Sequence, residues 1–137
     1  MIYFDNVSKT YSDGTVALDG VTFAIKEGEF VSIVGHSGAG KTTLTKLLLG
    51  EEQATNGTVS IDSVDVKKMK KKDMPELRRR IGVIFQDFRL LPNKTAYENV
   101  AFAMEVAGKP DTDIASDVPH VLELVDLTKK MWNFPRQ

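Results

Sequence analysis

Residues 35–42 are the part of this sequence best suited to bind a phosphate group. They read Gly-His-Ser-Gly-Ala-Gly-Lys-Thr, which matches the pattern G-x-x-x-x-G-K-[ST]. In such a loop, the glycines let backbone amides approach phosphate oxygens, the lysine places a positive charge between the β- and γ-phosphates, and the threonine hydroxyl can ligate Mg²⁺. The candidate nucleotide contacts are therefore Gly35, His36, Ser37, Gly38, Ala39, Gly40, Lys41, Thr42 and Thr43. We expect ATP or ADP with Mg²⁺ as the ligand.

Three alternatives for this segment and its surroundings are less favourable. A simple Gly-rich turn would leave Lys41 at the start of a helix, where its charge opposes the helix dipole unless an anion compensates. Dinucleotide binding requires the spacing G-x-G-x-x-G, which the loop does not have. Residues 93–96 begin like the guanine-reading Asn-Lys-x-Asp of GTPases, but Ala96 lacks the carboxylate that would accept hydrogen bonds from guanine. The sequence therefore favours a nucleotide site without guanine specificity.

The segments around this loop predict a β-hairpin, a buried strand and a helix. Extended structure is expected over Ile2 to Tyr11, Thr15 to Leu18 and Val21 to Lys26, with an Asp-Gly turn between the first two segments. Phe30 to Val34 is an apolar run bounded by glycines, which is typical of a strand buried on both faces. Lys41 to Leu49 predicts a helix that ends before Gly50. The loop would thus join a buried strand to a helix N-terminus, which attracts anions.

The rest of the chain alternates strand and helix signals, as an α/β domain does. We expect a strand over Thr58 to Val66, a short helix over Pro75 to Arg80 and a second buried strand over Ile81 to Phe85. Thr95 and Glu98 have the spacing of a capping box, which predicts a helix with its apolar face at Tyr97, Val100, Ala101 and Met104. A last helix carries Val118, Val121, Leu122 and Val125 on one stripe. Because Pro119 fits best in a first turn, we place the cap of this helix near Ser116.

The composition excludes several classes of protein. The 137 residues carry 18 basic and 19 acidic side chains, so the net charge of −1 gives no electrostatic indication of nucleic-acid binding. There is no cysteine, which excludes disulfides and thiolate metal sites. We find no signal peptide and no run of roughly 18 apolar residues that could cross a bilayer. Any membrane contact is therefore expected to occur through a partner.

Tyr11 and Gln86, taken with the phosphate loop, resemble the ABC ATPase family. Tyr11 precedes the loop where these domains place an aromatic residue that stacks on adenine, and Gln86 follows the predicted strand Ile81 to Phe85 where they place the Q-loop glutamine. The resemblance implies that Tyr11 and Val16 belong to the nucleotide site, that Thr42 and Gln86 serve Mg²⁺, and that Lys41 and Gln86 are catalytic. Base stacking on an aromatic ring is worth about 1–3 kcal/mol. The alternative for Tyr11 is a half-buried tyrosine of a strand, and the alternative for Gln86 is a polar residue at the end of a strand.

Within this family, residues 85–106 and Leu77 to Arg80 resemble the cell-division branch, the FtsE-type ATPases. The resemblance implies a P-loop α/β fold with an N-terminal antiparallel β edge and a mostly parallel core sheet. Residues 1–94 would form the catalytic core part with the P-loop and Q-loop, and residues 95–137 the start of a helical subdomain. It also implies a cytoplasmic protein, peripheral on the inner face of the membrane, which dimerises and docks on a membrane protein of the FtsX type. ATPases of lipoprotein-releasing and macrolide-exporting transporters share much of this pattern. A non-catalytic nucleotide-binding module is a further alternative.

Some catalytic parts of this family are not found in the 137 residues. Residues 133–137 resemble those that precede the Leu-Ser-Gly-Gly signature, and no apolar strand is followed by an Asp-Glu pair of the Walker B type. We therefore expect this chain alone to bind nucleotide without turnover. The strands at 30–34 and 81–85 would lack neighbours, so we also expect exposed apolar surface and self-association.

Overall fold

The computed structural model describes all 137 residues, which divide into two compact units, Met1–Gly82 and Val83–Gln137. The first unit contains a four-stranded antiparallel sheet in the order β2-β1-β3-β4. Its strands are β1 (Ile2–Thr10), β2 (Val16–Ile25), β3 (Asn56–Ile61) and β4 (Val64–Asp65). The helices of the chain are α1 (Lys41–Leu48) and α2 (Met74–Arg79) in the first unit, and α3 (Ala96–Val106) and α4 (Asp111–Leu124) in the second. Short 3-10 turns occupy Val66–Lys68 and Thr128–Lys130.

The core of the first unit lies between this sheet and α1. Phe4 is completely buried in β1, and its ring stacks on Phe23 of β2 with the ring centroids 4.6 Å apart. Leu44 and Leu47 bring one face of α1 into the same cluster. Burial of these apolar side chains fixes the position of α1 against the sheet, and with it the loop that precedes the helix.

Several sequence-based predictions for the first unit are confirmed. The hairpin forms with Thr10 paired to Val16 and Ile2 paired to Ile25. Helix α1 begins at Lys41 as expected, and Gly50 follows its end at a positive φ of 61°. Helix α2 has Pro75 in its first turn. The backbone N–H that proline lacks would have no partner within the helix at this position.

The prediction of a single strand over Thr58 to Val66 is wrong. The segment forms β3 and β4 with a turn between them, in which Asp62 and Ser63 have φ values of 49° and 66°. The N-terminal ammonium of Met1 and the guanidinium of Arg80 both donate to the Asp62 carboxylate, at 2.6 Å and 2.7 Å. Short polar residues tolerate the left-handed region, so this pair forms a turn instead of continuing the strand.

The two strands expected over Phe30 to Val34 and Ile81 to Phe85 do not form, so the described chain has no parallel core sheet. The side chains of Phe30 and Ile84 are 98% and 99% exposed, and Val34 is 87% exposed. Neither segment is paired with a strand. Apolar residues give a segment the capacity to be a buried strand, but a strand also needs a neighbour to accept its backbone hydrogen bonds. The prediction was wrong because the sequence pattern contains no information about that neighbour.

The second unit is built on the packing of α3 against α4. The capping box is confirmed: Thr95 Oγ1 accepts a hydrogen bond from Glu98 N at 3.2 Å, and Glu98 Oε2 accepts one from Thr95 N at 2.7 Å. The predicted apolar face of α3 is also confirmed, since it packs against the buried residues of α4. The buried residues of this cluster are Ala101, Ile114, Val118 and Leu122. No helix of the chain has the length and apolar character needed to cross a membrane.

Helix α4 begins earlier than its proline suggested. It starts at Asp111 after the N-cap Pro110, so Ser116 lies inside the helix, and so does Pro119. A proline within a helix removes one backbone hydrogen bond and costs about 3 kcal/mol. Burial of Ile114 and Val118, which are 6% and 0% exposed, offsets that cost. The predicted stripe is half right, because Val121 of this helix is 43% exposed.

Candidate functional site

The loop that precedes α1 is organised around the ammonium group of Lys41. Lys41 Nζ donates to the carbonyl oxygens of Gly35 and His36, each at 2.7 Å. Within the loop, Ala39 N donates to the His36 carbonyl at 3.2 Å. An ammonium has three N–H donors, so one remains for an external acceptor. The loop therefore holds a positive charge that retains one donor at its centre.

Backbone amides at the start of α1 add to this positive potential. The first intrahelical bond is from Leu44 N to Gly40 O, at 3.1 Å, so the amides of Lys41, Thr42 and Thr43 have no acceptor within the helix. The N-cap Gly40 supplies no side-chain acceptor, and the first turn contains no acidic residue. An anion placed here would meet both the free amides and the positive end of the helix dipole.

The end of the β1–β2 hairpin lies directly against this loop. Gly40 has a φ of 84°, and a Cβ built on it would collide with the carbonyl oxygen of Ala17 and with the Leu18 side chain. Only glycine is compatible with both the left-handed conformation and this close approach. Val16, which the resemblance assigned to the nucleotide site, is 62% exposed beside Ala17. The structure thus brings the hairpin end and the loop into one region of the first unit.

Tyr11 is tied to the loop helix through its hydroxyl. Its Oη lies 3.2 Å from Thr43 Oγ1, a hydrogen-bond distance, and Thr43 is only 7% exposed. The ammonium of Lys9 lies 5.0 Å from the centroid of the Tyr11 ring, within cation–π range. Sequence analysis missed both contacts. The available signal for the second was that Lys9 and Tyr11 are two positions apart in extended chain and so face the same side.

The remaining residues that sequence analysis assigned to the site have differing surroundings. His36 Nδ1 donates to the carbonyl oxygen of Ser37 at 2.7 Å. Thr42 is exposed at the start of α1. Gln86 belongs to the second unit, where it is exposed in a turn that follows Phe85. The guanidinium carbon of Arg89 lies 3.7 Å from the centroid of the Phe85 ring. Lys41 and Gln86 therefore lie in different units, whereas the loop, Tyr11 and Val16 share one.

A loop of this sequence between a β-hairpin and a helix defines the class of the protein. The family model described as ABC transporter matches residues 18–136, and the chain belongs to this family. Its α/β fold is that of P-loop ABC ATPase cassettes. A dimeric ATP-binding cassette in a post-hydrolysis state, bound to ADP and Pi, superposes with a TM-score of 0.89 at 33% identity, covering 100% of this chain and 62% of that one. A dimeric bacterial ABC transporter cassette superposes with a TM-score of 0.87 at 34% identity, covering 98% and 61%.

The particular relatives are cell-division proteins. The chain is 47% identical over 137 residues to the cell division ATP-binding protein FtsE of Streptococcus pneumoniae serotype 2 (strain D39), covering 100% of this chain and 60% of the relative. It is 45% identical over 137 residues to the protein of the same name from Escherichia coli K12, covering 100% of this chain and 62% of that relative. The chain therefore spans about 60% of the length of these curated relatives. The resemblance to FtsE-type ATPases that the motifs indicated is confirmed.

Proposed function

We propose that this chain binds MgATP and MgADP through the loop from Gly35 to Thr43. The observation that carries the proposal is the Lys41 ammonium, held by the two loop carbonyls of Gly35 and His36 at 2.7 Å each, with one N–H left for a phosphate oxygen. The unpaired amides at the start of α1 supply further donors in the same place. Both features favour a polyanion over a neutral ligand.

The Mg²⁺ that accompanies the nucleotide is compatible with the residues present. Mg²⁺ is usually held by one or two protein ligands together with substrate phosphates and waters, so it does not need a cluster of carboxylates. The exposed hydroxyl of Thr42 lies at the loop and is our proposed ligand. When bound, the ion would neutralise charge on the phosphates. We propose Gln86 as a further ligand of the ion, and we propose that Tyr11 and Val16 contact the adenine.

Calorimetry tests the nucleotide site. We expect Lys41→Ala to remove most of the affinity for MgATP, because the loop loses its central charge. Lys46→Ala is the matched control, since it removes a lysine from the other end of the same helix. Equal affinities of wild type and Lys41→Ala would refute the proposal.

We propose further that the longer protein is the ATP-hydrolysing subunit of an FtsE-type complex, and that these 137 residues alone do not turn ATP over. The names of the relatives and the bound ADP and Pi in the similar cassette support the first part. The lack of an Asp-Glu pair after an apolar strand supports the second, because loss of a general base commonly costs a factor of about 10² or more. Lys41-dependent phosphate release by the pure 137-residue chain would contradict it.

The proposed partner is a polytopic membrane protein of the FtsX type, which would hold this protein at the cytoplasmic face of the membrane. Phe88 and Leu90 are candidates for the contact, since they are 75% and 52% exposed directly after Gln86. Leu91 is less exposed, and its amide donates to Asn99 Oδ1 at 2.8 Å. Site-specific crosslinkers at Phe88 and Leu90 should capture a membrane protein in cells, and crosslinkers at Val64 on the sheet edge should not. The same yield from all three positions would reject this docking surface.

Self-association is proposed from two observations. Both similar cassettes are dimeric, and the side chains of Phe30, Val34 and Ile84 are almost fully exposed on this chain. Light scattering should therefore detect species larger than a monomer. Phe30→Ser together with Ile84→Ser should reduce them more than Val16→Ser does, and a monodisperse wild-type monomer at high concentration would overturn the expectation.

A further inference from the structure

Lys9 is a lysine whose ammonium is withdrawn from water and surrounded by fixed groups. Its side chain is only 12% exposed. Lys9 Nζ donates to Glu52 Oε2 at 2.7 Å and to the carbonyl oxygen of Gln53 at 3.0 Å, and it lies 5.0 Å from the Tyr11 ring centroid. Most lysines on a protein surface keep a mobile, hydrated ammonium, so this arrangement fixes a group that would otherwise be free to move.

The partners of Lys9 are themselves held in place. Glu52 and Gln53 lie in the segment between α1 and β3, which is attached to the end of β1 through Thr55. Thr55 N donates to the Ser8 carbonyl at 2.8 Å, and Thr10 N donates to Thr55 Oγ1 at 2.9 Å. Hydrogen bonding to Lys9 also lowers the pKa of Glu52, which favours the charged carboxylate that Lys9 binds. The segment that holds the Lys9 ammonium beside Tyr11 is thus itself hydrogen-bonded to β1, the strand that contains Lys9.

Tyr11 is held on two sides by these contacts. Its hydroxyl is bonded to Thr43 beside the phosphate loop, and one face of its ring is covered by the Lys9 ammonium. A planar base can therefore stack only on the opposite face. An aromatic side chain that is free to rotate loses conformational entropy when a ligand stacks on it, and a ring that is already fixed loses less.

We propose that Lys9 is a positioning residue for the nucleotide base, held by Glu52 and Gln53 so that its ammonium covers one face of Tyr11 and leaves the opposite face for adenine. This inference rests on the proposed nucleotide site and assigns to it a residue outside the phosphate loop. Lys9 acts through the Tyr11 ring and does not touch the phosphates. Its contribution is therefore confined to the part of the affinity that depends on the base.

The experiment compares MgATP with magnesium tripolyphosphate, which lacks the base and sugar, by calorimetry on the 137-residue chain. Lys9→Met removes the charge and keeps an unbranched stem of similar length. Lys46→Met is the matched control, because Lys46 also lies near Glu52 but makes no contact with the Tyr11 ring. Glu52→Gln is a second test variant, which weakens the hold on Lys9 without altering Lys9 itself.

We expect Lys9→Met to lower the affinity for MgATP about two- to fivefold, the size of a cation–π contact near a surface, and to leave the affinity for tripolyphosphate unchanged. Glu52→Gln should lower the affinity for MgATP in the same direction by a smaller factor. In a Tyr11→Ala background, Lys9→Met should have no further effect on MgATP, since the residue acts through the ring. Lys46→Met should change neither ligand.

Three results would overturn the inference. They are an unchanged affinity of Lys9→Met for MgATP, an equal loss of affinity for MgATP and tripolyphosphate, or the same loss when Tyr11 is already alanine. The wild-type measurements separate this failure from failure of the proposed function. Absence of Lys41-dependent tripolyphosphate binding by the wild type would refute the phosphate site itself, whatever Lys9 does.

Discussion

Replacing Tyr11 by phenylalanine separates the two contacts that this side chain makes. The change removes only the hydroxyl, which lies 3.2 Å from Thr43 Oγ1. Thr43 is 7% exposed, so water cannot easily replace the lost partner. The net contribution of such a bond is about 0.5–1.5 kcal/mol, and we expect Tyr11→Phe to lower the free energy of unfolding by about 1 kcal/mol. Because the ring and its contact with Lys9 remain, the affinity for MgATP should fall much less than it would on removal of the whole ring.

Tyr11→Ala removes the ring as well and should behave differently. Loss of a stacking contact worth about 1–3 kcal/mol lowers the affinity for MgATP by about 5- to 150-fold. We therefore expect both variants to be less stable than the wild type, and only Tyr11→Ala to have a large binding defect. This pattern would distinguish a base-binding residue from a strand tyrosine that is merely structural.

Urea denaturation followed by far-UV circular dichroism measures the stability, and calorimetry measures MgATP binding. Tyr3→Phe is the matched control, because Tyr3 lies in β1, the strand that ends just before Tyr11, is 37% exposed and has no hydrogen bond to its hydroxyl in the structure. It should leave both quantities unchanged. If Tyr11→Phe is as stable as Tyr3→Phe, the bond to Thr43 contributes nothing, and if it binds MgATP as poorly as Tyr11→Ala, the ring is not the binding element.

Three further substitutions test other parts of the structure. Thr95→Ala should destabilise the second unit by about 1 kcal/mol through loss of the capping box, measured by urea denaturation with the fluorescence of Trp132, and an unchanged midpoint would argue against the cap. Gly40→Ala should weaken MgATP binding and lower stability by at least about 1–2 kcal/mol, because alanine is strained at this positive φ and meets the Ala17 carbonyl; calorimetry showing wild-type affinity would contradict this. The pKa of Asp62 is lowered, chiefly by hydrogen bonding to the N-terminal ammonium, so its stabilising contribution is complete above the ordinary pKa of 3.8 and is lost as the pH falls further. Asp62→Asn should therefore be less stable than wild type at pH 6 and approach it in acid, and a stability difference that does not depend on pH would refute that origin.

The parts of the fold that the sequence predicted well depend on local signals. The capping box of Thr95 and Glu98 and the start of α1 at Lys41 are set by residues within a few positions of each other. The predictions that failed depend on distant parts of the chain. Whether Phe30 to Val34 is a strand is decided by a neighbouring strand, and whether α4 continues through Pro119 is decided by what Val118 is buried against. Neither kind of information is present in a local pattern.

The candidate site was predictable to the same extent. The loop motif identified Lys41, but the residues that surround Tyr11 come from the end of β1, the start of α1 and the segment after it. Lys9 and Glu52 have no spacing that marks them as partners, because a contact between β1 and the segment after α1 arises only when both pack on the same sheet. Residues of this kind can be assigned only after the strand pairings are known.

The position of the phosphate loop follows from contacts on its α1 side. The segment before it, Phe30 to Val34, is not paired to a strand, so it does not hold the loop in this structure. The loop is held instead by α1, whose Leu44 and Leu47 lie in the core, and by the close approach of Gly40 to the hairpin. The bond from Tyr11 to Thr43 joins the same two elements. The N-terminal hairpin therefore has two roles in the proposed site: it would present the Tyr11 ring to the base, and it fixes the helix whose first turn would meet the phosphates.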